Sequence, residues 1–381
     1  MDFQLTQEQQ MLKDSARRFL EDNCAFEARG SVIGNGGFDV GHWNTFAELG
    51  WLGMSLPEEY GGLGGSAIET ALLMEEFGRV LCIEPYWAVA VLAAQTIVAS
   101  GDQDKAGSIL PALVAGEACP VVAHGEPDAR GMLSYVTTSA VPAGPGNWTL
   151  KGNKSMVIGG NVADRFIVSA RTSGAPSDQT GITLFLVDRS VPGVKLHDVR
   201  LIDNRWCADI DLADVQVAEA DVLGTVGGGY AALDTGHAHA TVGLCAEAVG
   251  VMEKALWITR DYLKTRKQFG VTLSSFQALQ HRMSEMLIEL ELSRGMVHKA
   301  LSTMNASPEV RQLALSAAKV HVGRSGKFVC GQSIQLHGGI GVTEEYVIGH
   351  HFKRMTTIEY ALGSSHFHLE QLAAMERKRV A

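Results

Sequence analysis

The chain has 381 residues, 46% of them hydrophobic, and a formal net charge of −10 at pH 7. That length allows two or three domains around a large buried core. The acidic balance, with no Lys/Arg block longer than the triplet Arg377-Lys378-Arg379, makes nucleic acid and anionic membrane poor partners.

No apolar run reaches the roughly 18 residues of a membrane span, and the first residues, MDFQLTQEQQ, are polar and acidic, unlike a secretory leader. The six cysteines are scattered without a C-x-x-C pair, which predicts reduced thiols in a cytoplasmic protein. His237-x-His239 and His366-x-His368 are closely spaced histidine pairs. Each has only a single carboxylate at helical spacing, Asp234 before His237 and Glu370 after His366, and no cysteine, so no metal site is expected.

Residues 1–118 read as a helical domain. Thr6 with Gln9 predicts a capping box, followed by Met11, Leu12, Ala16, Phe19 and Leu20 at helical spacing. The cluster Gly61 to Gly65 predicts a tight turn, with Ser66 starting a second amphipathic helix. No strand precedes those glycines, so they do not read as a phosphate loop.

From 119 to 225 the texture is that of an all-β insert. NWTLKGNKSMVIGG, DRFIVSART and GITLFLVDRSVPGVKL are short apolar or alternating runs between turn residues. A small barrel or sandwich is expected. The helical period returns over 226–381, with candidate helices at about 230–264, 275–305 and 308–336, a pattern that predicts a bundle. Two helical domains around a β domain suggest a ligand cleft where the three meet.

Two stretches are more specific: YLKTRKQFGVTLSSFQALQHRMSEM (Tyr262 to Met286) and QSIQLHGGIGVTEEY (Gln332 to Tyr346). With LPEEYGGLG, EPDARG and VLGTVGGGY in their order, they resemble the acyl-CoA dehydrogenase family over nearly the whole chain. The resemblance implies an N-terminal helical domain, a middle β domain and a C-terminal four-helix bundle, assembled as a tetramer. It also implies FAD, and oxidation of an acyl-CoA to its trans-2-enoyl product with a carboxylate as base.

By that resemblance, Arg266 presents a forked cation to the FAD diphosphate. Gln268, Phe269, Leu273 and Phe276 extend the contact, and Gly270 lets the chain turn. Gln335 and Leu336, with the close-approaching backbone of Gly338 and Gly339, complete it. Ser364 and His366 are also expected near the cofactor. In the family these groups reach the FAD of a neighbouring subunit.

The chain departs from the pattern elsewhere. A Thr expected before Glu-Pro is Gly125, and the Trp and Thr/Ser expected at the flavin ring are Met156 and Ile158. The usual base position is occupied by Leu362, with Gly363 and Ser364 retained after it. The position used by a minority of the family is Ala240, and the Arg that follows there is Thr241. Glu247, two helical turns beyond Ala240, is a weak replacement candidate. His237, His239, Glu344, Glu345 and Glu359 are others.

Retained cofactor-gripping groups and missing ring-holding and acid–base groups suggest a subunit that completes another chain's site. The sequence is similar to small subunits of pimeloyl-CoA dehydrogenases and to paired subunits acting on steroid side-chain acyl-CoAs. The alternatives are an active homotetramer with a displaced base, a flavin monooxygenase on the same fold, and a non-catalytic assembly or binding subunit.

Overall fold

The structure, a computed structural model, describes residues 4–380. Its N-terminal part holds α1 (Gln7–Asn23), α2 (Arg29–Gly34), α3 (Val40–Glu48), α4 (Ala67–Val80), α5 (Ala94–Ala99) and α6 (Gln103–Val114). Strands β1 (Pro120–Ala123), β2 (Ser139–Pro142), β3 (Asn147–Ile158) and β4 (Arg165–Arg171) follow. Next come β5 (Ile182–Asp188), β6 (Val194–Arg200), β7 (Trp206–Ala218) and β8 (Val222–Leu223). The C-terminal part contains α7 (Tyr230–Thr265), short strands β9 (Lys267–Gln268) and β10 (Val271–Thr272), and α8 (Gln277–Leu301). It ends with α9 (Pro308–His337), α10 (Val347–Tyr360) and α11 (Ser365–Val380).

The local chemistry explains several boundaries. Thr6 Oγ1 accepts from the Gln9 amide at 3.2 Å, and the Gln9 side chain accepts from the Thr6 amide at 3.1 Å. This is the reciprocal cap expected from the sequence. α9 starts on Pro308, whose fixed φ suits the first helical position. α8 is shorter than its apolar pattern predicts. Leu273–Ser275 form a 3₁₀ turn and Phe276 is extended, so the helix begins only at Gln277. Its other end stops at Leu301, short of the expected Asn305.

The chain forms two compact units, with the division falling within α7. One comprises the segment up to Arg29, Ala67–Cys82, and everything from Thr241. Here α9 is the central helix, packed by α8, α10 and α11. α4 lies against α7 so closely that a Cβ on Gly78 would collide with the Glu247 carbonyl, and one on Gly250 with the Glu75 carbonyl. Only glycine permits that approach.

The other unit comprises Gly30–Ser66 and Ile83–Ala240. Its sheet has the order β6-β7-β3-β2-β4-β5-β8, with β1 pairing in parallel with β4. β1 is buried throughout, and so is β5 up to its last residue. The β3–β7 ladder is broken by irregularities at Leu150/Gly152 and at Lys154/Val157. A seven-residue π-helix, Trp87–Ala93, runs directly into α5.

Candidate cofactor and active site

Arg266 follows the last residue of α7, and its amide still donates to the Tyr262 carbonyl at 2.8 Å. β9 and β10 pair antiparallel, leaving Phe269 and Gly270 as a two-residue turn. Both have positive φ, 54° and 82°, the geometry that matches the twist of a tight hairpin. Glycine adopts it freely; phenylalanine is held there against its preference. Phe269 is 91% exposed, with its ring edge-on to Phe276 at 6.2 Å. Leu273 and Phe276 are half-buried, whereas Arg266 and Gln268 are exposed. Among the described residues the Arg266 guanidinium has no partner.

The second predicted segment ends α9. Gln335 is exposed and Leu336 buried. Gly338 has φ +67, and nothing lies within 4 Å of a Cβ built on Gly338 or Gly339. Their backbone is open to a ligand. An unpaired guanidinium and an exposed glycine turn suit a phosphate-bearing group.

Around Leu362 the backbone is tightly organised. Leu362 has φ +55 and Gly363 φ +98. The buried Lys319 ammonium donates to the carbonyls of Ile358 at 2.8 Å, Glu359 at 2.9 Å and Gly363 at 2.9 Å. His368 Nε2 donates to the Leu362 carbonyl at 3.0 Å, and Ser316 donates to His368 Nδ1 at 3.0 Å. Burial, reinforced by Lys319, lowers His368 to about 4, so the imidazole is neutral at pH 7. Glu359 caps α11, accepting from the Ser365 amide at 3.0 Å. Ser364 Oγ accepts from the Phe367 amide at 3.2 Å, whereas exposed His366 points outward and pairs with Glu370 at 3.1 Å.

Ala240 is fully buried, so a methyl group stands where an acid was sought. Glu247 does not present a free carboxylate. It is buried, and its Oε1 accepts from Arg354 Nη1 at 2.5 Å. Arg354 also donates to the Leu81 carbonyl at 3.3 Å. Glu247, the weak candidate for a replacement base, is thus half of an interior ion pair. Glu344 is engaged with Lys353 and with His350. His237 differs: it is half-buried, and its Nδ1 lies 2.9 Å from the Leu233 carbonyl.

In the β-rich unit, Met156 sits at the β3 irregularity with φ +56 and is 53% exposed. Its amide donates to Asp209 at 2.8 Å. The Gly125 carbonyl accepts from the Ser155 amide at 2.8 Å. Beneath them Lys154 donates to Glu126 at 2.7 Å, to Ser169 Oγ at 3.1 Å and to the His124 carbonyl at 3.3 Å. Burial alone would raise the Glu126 carboxyl, but Lys154 and the Thr137 and Thr138 donors bring it to about 2. Burial pushes Lys154 down to about 8 against the pull of Glu126. Sequence reasoning missed Lys154, Lys319 and His368. For Lys319 the available signal was a lone charge inside an apolar, small-residue run; Lys154 and His368 stand among other polar residues and carry no such mark.

Three family models match the chain in order. The acyl-CoA dehydrogenase N-terminal domain matches residues 6–117, the middle domain 122–215 and the C-terminal domain 227–376. The chain belongs to the acyl-CoA dehydrogenase family. Probable acyl-CoA dehydrogenase YngJ of Bacillus subtilis (strain 168) is 31% identical over 375 residues, covering 96% of this chain and 97% of that protein. A solved structure described as the Tcur3481-Tcur3483 steroid ACAD G363A variant matches with TM-score 0.87 and 30% identity, covering 98% of each chain. The ChsE4-ChsE5 complex from Mycobacterium tuberculosis matches with TM-score 0.88 and 26% identity, again over 98% of each.

Membership of the acyl-CoA dehydrogenases brings FAD as cofactor and FAD-dependent oxidation of acyl-CoA as the class of chemistry. A tetramer is typical of the family. No helix among the described residues of this acyl-CoA dehydrogenase is long and apolar enough to cross a membrane.

Proposed function

We propose that this acyl-CoA dehydrogenase chain is one subunit of a heteromeric enzyme and completes the FAD site of a partner chain. The observation that carries this reading is an asymmetry. The exposed grip of Arg266, the Phe269 hairpin and the Gly338–Gly339 turn is intact, while Leu362 occupies the base position on an equally intact turn. Arg266 and the glycine backbone fit a diphosphate, and Phe269 and Phe276 offer rings to an adenosine. Gln268, Leu273, Gln335 and Leu336 frame that grip, and Ser364 sits beside the Leu362 turn.

FAD supplies the hydride acceptor of the reaction. In this chain, Met156, Ile158 and Gly125 bring neither an aromatic face nor a side-chain hydroxyl to a flavin ring. The heteromeric reading is also supported by two similar structures whose names join two chains, Tcur3481-Tcur3483 and ChsE4-ChsE5. The acyl group on that analogy is bulky, of the steroid side-chain class. Flavin absorbance per chain tests the proposal. The chain alone should carry little FAD, and the mixed assembly about half a flavin per chain. Full loading with acyl-CoA turnover by the chain alone would end this reading.

A second reading, a homotetramer with a displaced base, is favoured by His237. Its Nδ1 proton is committed to the Leu233 carbonyl, which leaves Nε2 with the lone pair and with no partner among the described residues. Burial lowers this imidazole to about 4, so it is neutral at pH 7. Bleaching of the flavin by acyl-CoA in the pure chain, abolished by His237→Gln, would decide for it.

A further inference from the structure

The guanidinium after α7 and the glycine turn after α9 come from distant parts of the sequence, yet one wedge joins them. His337, the last residue of α9, is buried between two tyrosines. Tyr262 stacks on it with ring centroids 4.3 Å apart and planes at 28°. Tyr346 lies on another side at 5.2 Å and 48°. Tyr262 stands one helical turn before Arg266 and accepts its amide. Tyr346 is the residue from which α10 starts.

The wedge is fixed in orientation as well as place. His337 Nδ1 is 2.7 Å from the Ser333 carbonyl, which can only accept, so the proton is on Nδ1. Nε2 is left as an acceptor facing the Tyr346 hydroxyl at 3.4 Å. The Tyr262 hydroxyl donates to the His337 carbonyl at 3.3 Å, on the peptide that leads into Gly338. Beyond the glycines the chain folds back on the same residue. A Cβ on Gly341 would lie 2.8 Å from the Ile334 carbonyl and 3.1 Å from the His337 Cβ. Burial lowers the imidazole's pKa and keeps it neutral.

We propose that Tyr262 and His337, steadied by Tyr346, are positioning residues that fix the Arg266 guanidinium relative to the Gly338–Gly339 backbone, and thereby set affinity for the FAD diphosphate. The inference rests on the cofactor role proposed above for those two segments. Two anion-binding groups act as one site only when their spacing is held before the ligand arrives. Arg266 is exposed and has a long, mobile side chain. The wedge supplies a rigid reference for it, through the backbone of the final turn of α7.

The test is an FAD titration, followed by flavin fluorescence, into the apoprotein of the full chain in its purified assembly. Tyr262→Leu should raise Kd about tenfold, the scale of a lost aromatic stack plus lost pre-organisation. Tyr262→Phe, which keeps the ring, should recover most of that loss. His337→Gln, which keeps a donor for Ser333 but has no ring, should behave like Tyr262→Leu, and it carries the test should Tyr262→Leu fail to fold. Unchanged Kd in folded Tyr262→Leu and His337→Gln overturns the positioning role while leaving the proposed site in place. FAD binding that is equally insensitive to Arg266→Gln removes the site itself.

Discussion

The ammonium of Lys319 donates to the carbonyl of Gly363 at 2.9 Å, and the same nitrogen holds the carbonyls of Ile358 and Glu359. One buried cation thus closes the end of α10 and shapes the turn at Leu362. Lys319→Met should leave those acceptors unsatisfied at about 1–3 kcal/mol each, softened by relaxation and water. A fall in melting temperature of several degrees is expected. An unchanged thermal melt would show that the turn is held by other means.

If the turn is intact and only the acid is missing, restoring the acid should restore proton transfer. Leu362→Glu in the FAD-loaded assembly should raise exchange of the acyl-CoA α-proton into deuterated water by at least about 100-fold, the lower end of general-base contributions. Mass spectrometry of the thioester reads this directly. Exchange no faster than in the parent protein would mean that substrate does not sit over this turn.

Glu247 and Arg354 give the opposite kind of prediction. Arg354→Met removes the arginine from a buried carboxylate, a change that costs about 3–5 kcal/mol. Adding Glu247→Gln should recover much of that loss, because the pair is costly to break and cheaper to remove whole. Denaturant unfolding of the two single variants and the double variant measures it. Additive losses would show that the two side chains are not coupled.

His368 provides a pH signature. Its folded value is lowered by burial to about 4 from an ordinary 6.5, so between those values the unfolded chain binds more protons. Stability contributed by the neutral ring is therefore complete above pH 6.5 and is lost as pH falls toward 4, on the order of 2–3 kcal/mol. His237 and His351 shift the same way, so the comparison must be with His368→Gln, whose unfolding free energy should fall less over that span. Parallel curves for the two proteins would remove His368 from the account.

Arg266→Gln should weaken FAD binding about tenfold or more in the assembled enzyme, because a charged donor to a phosphate is worth about 1.5–3 kcal/mol. Equilibrium dialysis of the flavin is the measurement. An unaltered affinity would remove Arg266 from the grip.

Much of this organisation is written locally and can be read locally. The Thr6–Gln9 cap, the Pro308 start of α9 and the Gly270 half of the hairpin turn each depend on residues a few positions apart. The charged interior does not. Arg354 reaches Glu247 across 107 positions, and Lys319 finds acceptors some forty residues away that are main-chain atoms carrying no signature of their own. In the run AAKVHVGRSG a lysine looks like a solvated helix residue until α10 and α11 are folded against it. Glu247 was legible as an inward-facing acid on α7, but the partner that occupies it was not.

Phe269 at the apex of its hairpin bears on how the protein must be made. Its ring meets the edge of Phe276 yet stays 91% exposed, and uncovered apolar surface invites promiscuous sticking and degradation. In the proposed assembly the neighbour's nucleotide is the cover. Synthesis of the two polypeptides would then have to be matched, with any surplus of this one short-lived.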